Sequence, residues 1–493
     1  MHSQPRPPSC IIAPNTHPGS HTVHLKPLLL ALPLALLAAC ATPPLPGMAA
    51  YQAKDYPTAL RQLRPAADAG NPVAQYQLGV MAAEGQGQPR GPSQALSWYR
   101  MAAAQGYAPA QRALGLASLN GDGEAKDPAQ AADWFSKAAR QGDAQAQYNL
   151  GLAFDLGHGV TRDSAQAGHW YYKAADQGYA PAQNNLASMY QNGRGLPRDY
   201  GQALHWYSKA AAQGLALAQS NLGALYNNGQ GTARDYVAAQ GWFLKAAEQG
   251  NAQAQNKLGD LYSLGHGVPQ DYAQAMKWYR IAAEQGDAQA QNSLGILYGN
   301  GQGSTRDYGH AAFWFRQAAD QGNAAAQNNI ATIYAMGEGT PQDYTQAADW
   351  YRKAAQQGNT AAQAALASLY LSGQGVRPDN SEALKWLQPA AAKGNTGALT
   401  QLASLYQSGQ GVPRDPVIAQ MLSLILAAVT ALDSSGAALS DAPAWHSALH
   451  SAEADASPAT TLSPAQWQEA QSLADSWVPG TPLPGKRQTG GTQ

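Results

Sequence analysis

Two cysteines in 493 residues, Cys10 and Cys40, leave the body of this chain without a thiol. Disulfide staples and cysteine zinc sites are thereby excluded from it, and whatever folds must hold by packing. Charge is scarce as well. Charged residues make up 13% of the chain, against about 25% in an ordinary globular domain, and 31 Lys+Arg stand against 32 Asp+Glu. No basic surface for nucleic acid follows from such a balance, and no acidic one. Phenylalanine is nearly missing, with 5 residues beside 24 Tyr. This skew, with 50 Gly and a dense recurrence of Ala-Gln and Asn-Gly, points to one unit copied many times rather than to three ordinary domains.

The first long apolar run is Pro27–Ala39, PLLLALPLALLAA, too short for the roughly 20 residues of a membrane span and suited to a secretory signal. It ends in Leu37-Ala38-Ala39-Cys40, which resembles a bacterial lipobox. That resemblance implies cleavage before Cys40, a diacylglycerol on its thiol and acylation of the new amino terminus. Ala41 in place of Asp implies sorting to the outer membrane, facing the periplasm. An ordinary signal peptide with a coincidental cysteine is the alternative. Residues 1–39 are thus expected to be a lipoprotein signal peptide and 40–50, ATPPLPGMAA after the Cys, a Pro-rich tether. The 26 residues before the apolar run are long for such a leader. Initiation at Val23 would leave Met-His-Leu-Lys-Pro, a compact basic start.

The Ala-Ala-x-x-Gly element recurs from Gly70 through Gly106, Gly250 and Gly286 to Gly394, ten copies with every neighbour 36 residues apart. The Gly-x-Gly pairs, such as Gly265/Gly267, and nine tryptophans from Trp98 to Trp386 keep the same period. Within one unit Ala254, Leu258, Leu261 and Tyr262 share a helical face ending at Gly265, which defines helix A. Asp271 then offers a helix start, and Ala275, Trp278, Tyr279 and Ala282 mark helix B up to Gly286. Each unit is a helical hairpin that cannot bury both faces alone. Stacked copies supply the core, so the fold class is an all-α, α/α-hairpin solenoid of about ten 36-residue repeats over residues 71–430. The tryptophans are expected to be the inter-helix core column.

These units resemble the Sel-one-like repeat family, a tetratricopeptide-related class, over about three quarters of the chain. The Gly-rich loop inside the hairpin separates them from tetratricopeptide units of about 34 residues. The resemblance implies a right-handed superhelix with helix A residues lining its concave side. Residues 51–70 read as an N-terminal capping helix. The tenth copy places Met421 and Leu422 at the aromatic positions. Residues 431–462 are Ser/Ala/Asp-rich and expected as a flexible linker, 463–478 as a C-terminal capping helix, and 479–493 as a disordered tail.

Catalytic chemistry is not visible. The Gly-x-Gly loops follow helices rather than strands, which rules out a dinucleotide reading, and there is no His-Glu-x-x-His, Gly-x-Ser-x-Gly or Ser-x-x-Lys. His158 and His266 lie in corresponding loops and read as solvated. No catalytic residue, metal site or cofactor is assigned, and the chain is not read as an enzyme. By the resemblance, the concave positions form a column containing Tyr148, Asn184, Asn256, Asn292 and Asn328, with Asp260 in a neighbouring one. Asn both donates and accepts, so such a ladder would hold the backbone of an extended chain. The expected function is a membrane-anchored envelope scaffold binding a protein or peptide partner. A polysaccharide- or peptidoglycan-associated binder is the alternative, favoured if exposed Tyr clusters on the concave face.

If Cys40 carries the lipid, Cys40→Ser should move the protein from the membrane pellet to the soluble or unprocessed fraction on cell fractionation. Firm membrane retention of a folded variant would contradict the anchor.

Overall fold

The computed structural model describes residues 45–456 and 462–484. The leader and residues 40–44 of the tether, Cys40 among them, lie outside them. Among the described residues there are helices and no strands, and ten hairpins repeat one plan.

The hairpin of Ala252–Leu264 (helix A) and Tyr272–Glu284 (helix B) shows why this sequence takes it. The Asn251 side chain accepts from the Ala254 amide and Asp271 from that of Gln274, satisfying donors that each helix start leaves free. Helix A stops at Gly265, whose φ of 71° is left-handed and suits glycine. Two residues on, Gly267 is forced by proximity: a Cβ there would stand 2.7 Å from the carbonyl carbon of Tyr236, at the start of the preceding helix B. The Gly-x-Gly loop is therefore both a helix stop and a joint between repeats.

Inside the hairpin, Gly259 of helix A lies flat against the ring of Tyr279. A Cβ would come within 2.4 Å of that ring, and Gly115 faces Phe135, Gly223 faces Phe243 and Gly295 faces Phe315 in the same way. The deepest aromatic column is thus the residue after each tryptophan, with Phe243 1% and Tyr171 0% exposed. This shifts the expected core by one position. Trp98, Trp206 and Trp350 are buried, but Trp134, Trp170, Trp242, Trp278, Trp314 and Trp386 are only half-buried. The 100° step of a helix turns the second residue toward helix A and the tryptophan toward the preceding repeat, where Trp242 closes over the cluster containing Trp206 and Tyr207. Lysine ammonium groups three residues on cover several outer faces, Lys245 over Trp242 at 4.1 Å and Lys353 over Trp350 at 3.8 Å.

A column of buried glutamines ties repeat to repeat. Gln255 Nε2 donates to Ala247 O across the turn between hairpins (3.1 Å), while its Oε1 accepts from Gln285 Nε2 (2.7 Å). Eight such Gln–Gln bonds recur 36 residues apart, from Gln105→Gln75 to Gln357→Gln327. The next rung fails, because Lys393 stands where a glutamine is needed. Its ammonium reaches only Gly358 O at 3.5 Å, and Gln363 Oε1 stays buried without a partner.

The ends differ from expectation. The N-terminal cap is Tyr56–Asp68, preceded by a short helix Met48–Gln52, so Leu45 and Met48 of the supposed tether pack on the cap. The stretch 431–462 is no simple linker. Helix B of the tenth repeat runs Pro416–Ser435, and a further helix, Ala442–Asp455, starts on the Asp441 cap and buries Trp445 and Leu449. Residues 457–461 lie outside the description. The last helix, Pro464–Ser476, opens with a Ser463/Gln466 capping box. Trp477 meets the edge of Trp445 at 5.1 Å. The tail is packed at its start: Gly480 N donates to Ala392 O (2.8 Å) and Leu483 joins the core. Residues 485–493 lie outside the description.

The shifted core column makes a prediction. Phe243→Ala should cost about 3–5 kcal/mol and divide chemical unfolding into two stages, whereas Trp242→Ala, beside it, should cost less. Equal losses would restore the tryptophan to the centre. Lys393→Gln should complete the missing rung and raise stability by about 0.5–1.5 kcal/mol in urea titration. An unchanged or lowered midpoint would show that the vacant Gln363 oxygen carries no penalty.

Candidate ligand-binding face

The two helical sides of the stack are joined differently. Successive A helices meet through short side chains, Asn221 Nδ2 donating to Asn184 Oδ1 (3.1 Å) and Asn329 Nδ2 to Asn292 Oδ1 (2.9 Å). Successive B helices meet through long ones: Tyr172 with Trp206 at 6.0 Å and Arg316 over Trp350 at 5.2 Å. Successive A helices are thus bridged by shorter side chains than successive B helices.

The outward stripe of helix A consists of Gln253, Lys257, Asp260 and Leu264, at i, i+4, i+7 and i+11. Asp260 lies on it, its Oδ2 accepting from Lys257 Nζ (2.7 Å) and its Oδ1 from the Tyr279 hydroxyl (2.9 Å). The expected asparagine ladder does not. Asn184, Asn256 and Asn292 are 5%, 3% and 3% exposed and belong to the packing between A helices. They sit one position inward of the stripe, a 100° turn that carries them from solvent into the seam. Asn256 Oδ1 is buried without a partner, since Ser293 stands where Asn221 and Asn329 stand for the other two. Asn328 is half-buried, with Nδ2 3.5 Å from Asn329 Oδ1. Tyr148 is half-buried between Tyr171 and Tyr179, at 5.8 and 5.3 Å.

Several of the deep tyrosines reach the helix A side through their hydroxyls. Where the deep ring is Tyr, its hydroxyl passes beside helix A to a polar group: Tyr207 to Gln191 Oε1 (3.0 Å), Tyr279 to Asp260, and Tyr351 within 3.0 Å of Thr332 Oγ1. The stripe residue matching Asp260 is apolar beside either kind of ring: Leu116 and Ile296 with Phe135 and Phe315, Val80 and Leu152 with Tyr99 and Tyr171. Burial pushes the Tyr207 hydroxyl up to about 12, and those of Tyr171 and Tyr279 well above the usual phenol range. These hydroxyls are neutral donors at physiological pH, so none is poised as a base. Exposed large apolar side chains collect on the stripe: Leu116, Leu156, Leu217, Leu264, Ile296 and Met336 all fall on it. Among the described residues, His450, Glu453 and Asp475 bring possible cation ligands within 4.8 Å of one another on the C-terminal cap. His450 and Asp475 are exposed, and burial followed by Asp475 raises the Glu453 carboxyl.

The glutamine column, unlike the asparagine one, went unread in the sequence. Its signal was the Ala-Gln pair recurring at 36, beside a second glutamine ahead of the glycines from Gly106 to Gly358.

This chain belongs to the Sel1 repeat family. The family's repeat matches ten consecutive segments, beginning at 72–107 and 108–143 and ending at 360–395 and 396–427. Repeats of this class generally mediate protein–protein interaction, and the solenoid is typically a non-catalytic scaffold. The chain is 33% identical to a protective antigen of uropathogenic Escherichia coli displaying an SLR fold, over 90% of this chain and 95% of that one, with a TM-score of 0.71. It is 36% identical to a Sel1 repeat protein from Oxalobacter formigenes, over 63% of this chain and 90% of that one, with a TM-score of 0.50. No protein of curated function matches it.

The buried asparagines reverse an expectation. Joint Asn184→Ala and Asn292→Ala replacement should lower stability by about 1–3 kcal/mol, as two inter-repeat acceptors disappear. Neutral substitution in thermal melts, as at an exposed helical site, would return these residues to the ligand face.

Proposed function

We propose that this chain is a non-enzymatic adaptor that binds an extended segment of a partner protein across the stripe of its A helices. The observation that carries the reading is the mixed character of that stripe. Exposed leucines and Ile296 alternate along it with Asn221, Lys257 and Asp260, giving apolar contact with polar groups for a peptide backbone. A sugar-binding reading has less support, because Tyr76 and Tyr148 are half-buried and packed against Tyr107 and Tyr179 rather than presenting open faces. The chain is tethered through lipid on Cys40 to the bacterial outer membrane, facing the periplasm. The Leu-Ala-Ala-Cys sequence after a 13-residue apolar run supports this anchoring.

Photo-crosslinking side chains at Asn221 and Lys257 should capture a partner protein from intact envelopes. The same groups at Tyr172 and Phe313, exposed on the B helices, should not. Capture only from the B-helix positions would move the binding face to the outer side.

A further inference from the structure

Helix B begins with tyrosine in five successive repeats, at Tyr200, Tyr236, Tyr272, Tyr308 and Tyr344. Each ring fills a cleft beside the Gly-x-Gly loop of the next repeat. Tyr236 stacks on His266 at 4.4 Å, and Tyr308 comes 4.0 Å from where a Cβ of Gly299 would stand. The side chain two residues earlier closes the cleft. It is Gln270 donating to the Tyr272 hydroxyl (2.9 Å), or an arginine lying over the ring, Arg198 over Tyr200 at 5.7 Å and Arg234 over Tyr236 at 5.8 Å.

The first two full repeats lack the ring, because Pro92 and Pro128 take its place. The cleft is open in both. A cavity of about 250 Å³ lies among Ala83, Pro92, Leu96, Tyr99 and Leu116, and one of about 130 Å³ among Leu119, Pro128, Ala132, Phe135 and Leu152. These linings correspond residue for residue at a spacing of 36, and Asp122 and His158 occupy the register of His266. Arg90 sits as Gln270 does: its Nε donates to Ala83 O (3.0 Å), as Gln270 donates to Ser263 O (2.8 Å). The next repeat carries Lys126 at that position. The third repeat also lacks the ring, at Ser164, but an Arg194–Asp155 ion pair of 2.8 Å spans the corresponding positions.

We infer that the recesses at Pro92 and Pro128 receive two aromatic side chains of an extended partner segment. The five repeats that carry the ring identify the occupant, since in them this chain's own phenol lies in the register of the recess. Charge agrees: Arg90 lines the first recess and Lys126 holds its register beside the second, where Arg198 and Arg234 lie over aromatic faces elsewhere. The two recesses lie one repeat apart, a step at which side chains of successive A helices bond directly elsewhere in the stack, and a polyproline-II segment brings residues i and i+3 to the same side about 9 Å apart. The segment therefore has the form aromatic-x-x-aromatic. Leu116 and Leu152 belong both to the recesses and to the A-helix stripe, so this inference rests on the peptide-binding reading and gives it a sequence preference.

The test uses a fluorescein-labelled peptide containing Tyr-Pro-Pro-Tyr, with Ala-Pro-Pro-Ala as control, and anisotropy titration against the purified chain. The tyrosine peptide should bind at least about tenfold more tightly than the alanine peptide. Pro92→Tyr with Pro128→Tyr, restoring what later repeats carry, should abolish that preference without lowering the melting temperature. Arg90→Gln with Lys126→Gln should weaken it several-fold. No saturable binding to the wild-type chain, equal binding of both peptides, or undiminished binding by the filled variant would overturn the inference. So would a filled variant whose only change is in self-association by sedimentation velocity, since the occupant would then be a second copy. If the filled variant still crosslinks its partner through Asn221 and Lys257, the recesses fail while the A-face reading stands. Loss of the peptide preference together with B-face capture would sink the A-face reading instead.

Discussion

Everything in this solenoid depends on how closely helix A can approach helix B within a hairpin, and the flat contact of a glycine on an aromatic ring sets that distance. With Gly259 against Tyr279 and Gly223 against Phe243, no side chain separates the backbone of one helix from the ring of the other. The alanine columns, fully buried at Ala254, Ala275 and Ala282, continue the same close approach along the pair. Small residues on one side and a large planar one on the other fill the space without voids, which is how a chain with few large aliphatic residues reaches interior packing density. Ala187 and Ala331 take the glycine's place opposite Tyr207 and Tyr351, so the contact tolerates one methyl group.

Once hairpins are uniform, the remaining question is how one joins the next, and here hydrogen bonding takes over from packing. A buried amide costs free energy unless both its ends are satisfied, and each glutamine of the ladder is satisfied only when the neighbouring repeat is in register. The ladder therefore specifies the stacking as well as stabilising it. Its interruption at Gln363 coincides with the start of the C-terminal cluster, where Leu399 and Leu422 stand at the glutamine and tryptophan positions and Met421 is buried beside them. From there the structure is held by an apolar core closed by Trp445 and Trp477.

The chemistry of the binding face changes from repeat to repeat. Some core tyrosines send their hydroxyls to polar groups on the stripe, Tyr279 to Asp260 and Tyr351 beside Thr332, while Leu152 and Ile296 at the same register leave it apolar. The N-terminal repeats, with Leu116 and Leu152 on the stripe and proline in place of the ring at the helix B start, form the least polar part of the A face. Variation within a fixed period gives a regular array a preferred place for a partner.

The 36-residue period, the hairpin unit, its caps and the absence of metal-binding cysteines were determined by the sequence alone, because each follows from local rules: a glycine where φ must be positive, an aspartate at a helix start, an apolar face every third or fourth residue. What those rules do not contain is the rotation of one helix about its axis relative to its neighbours. A turn of 100° decided that Phe243 rather than Trp242 lies deepest, and that Asn184 and Asn292 face the seam while Lys257 and Asp260 face solvent. The helix at Ala442–Asp455 was hidden for a related reason. Its alanine-rich text has little periodicity of its own, and it is held by Trp445 against Trp477 from a helix further along the chain. Tertiary structure alone made those choices, since each is an energy of contact between segments that sequence spacing leaves free to turn.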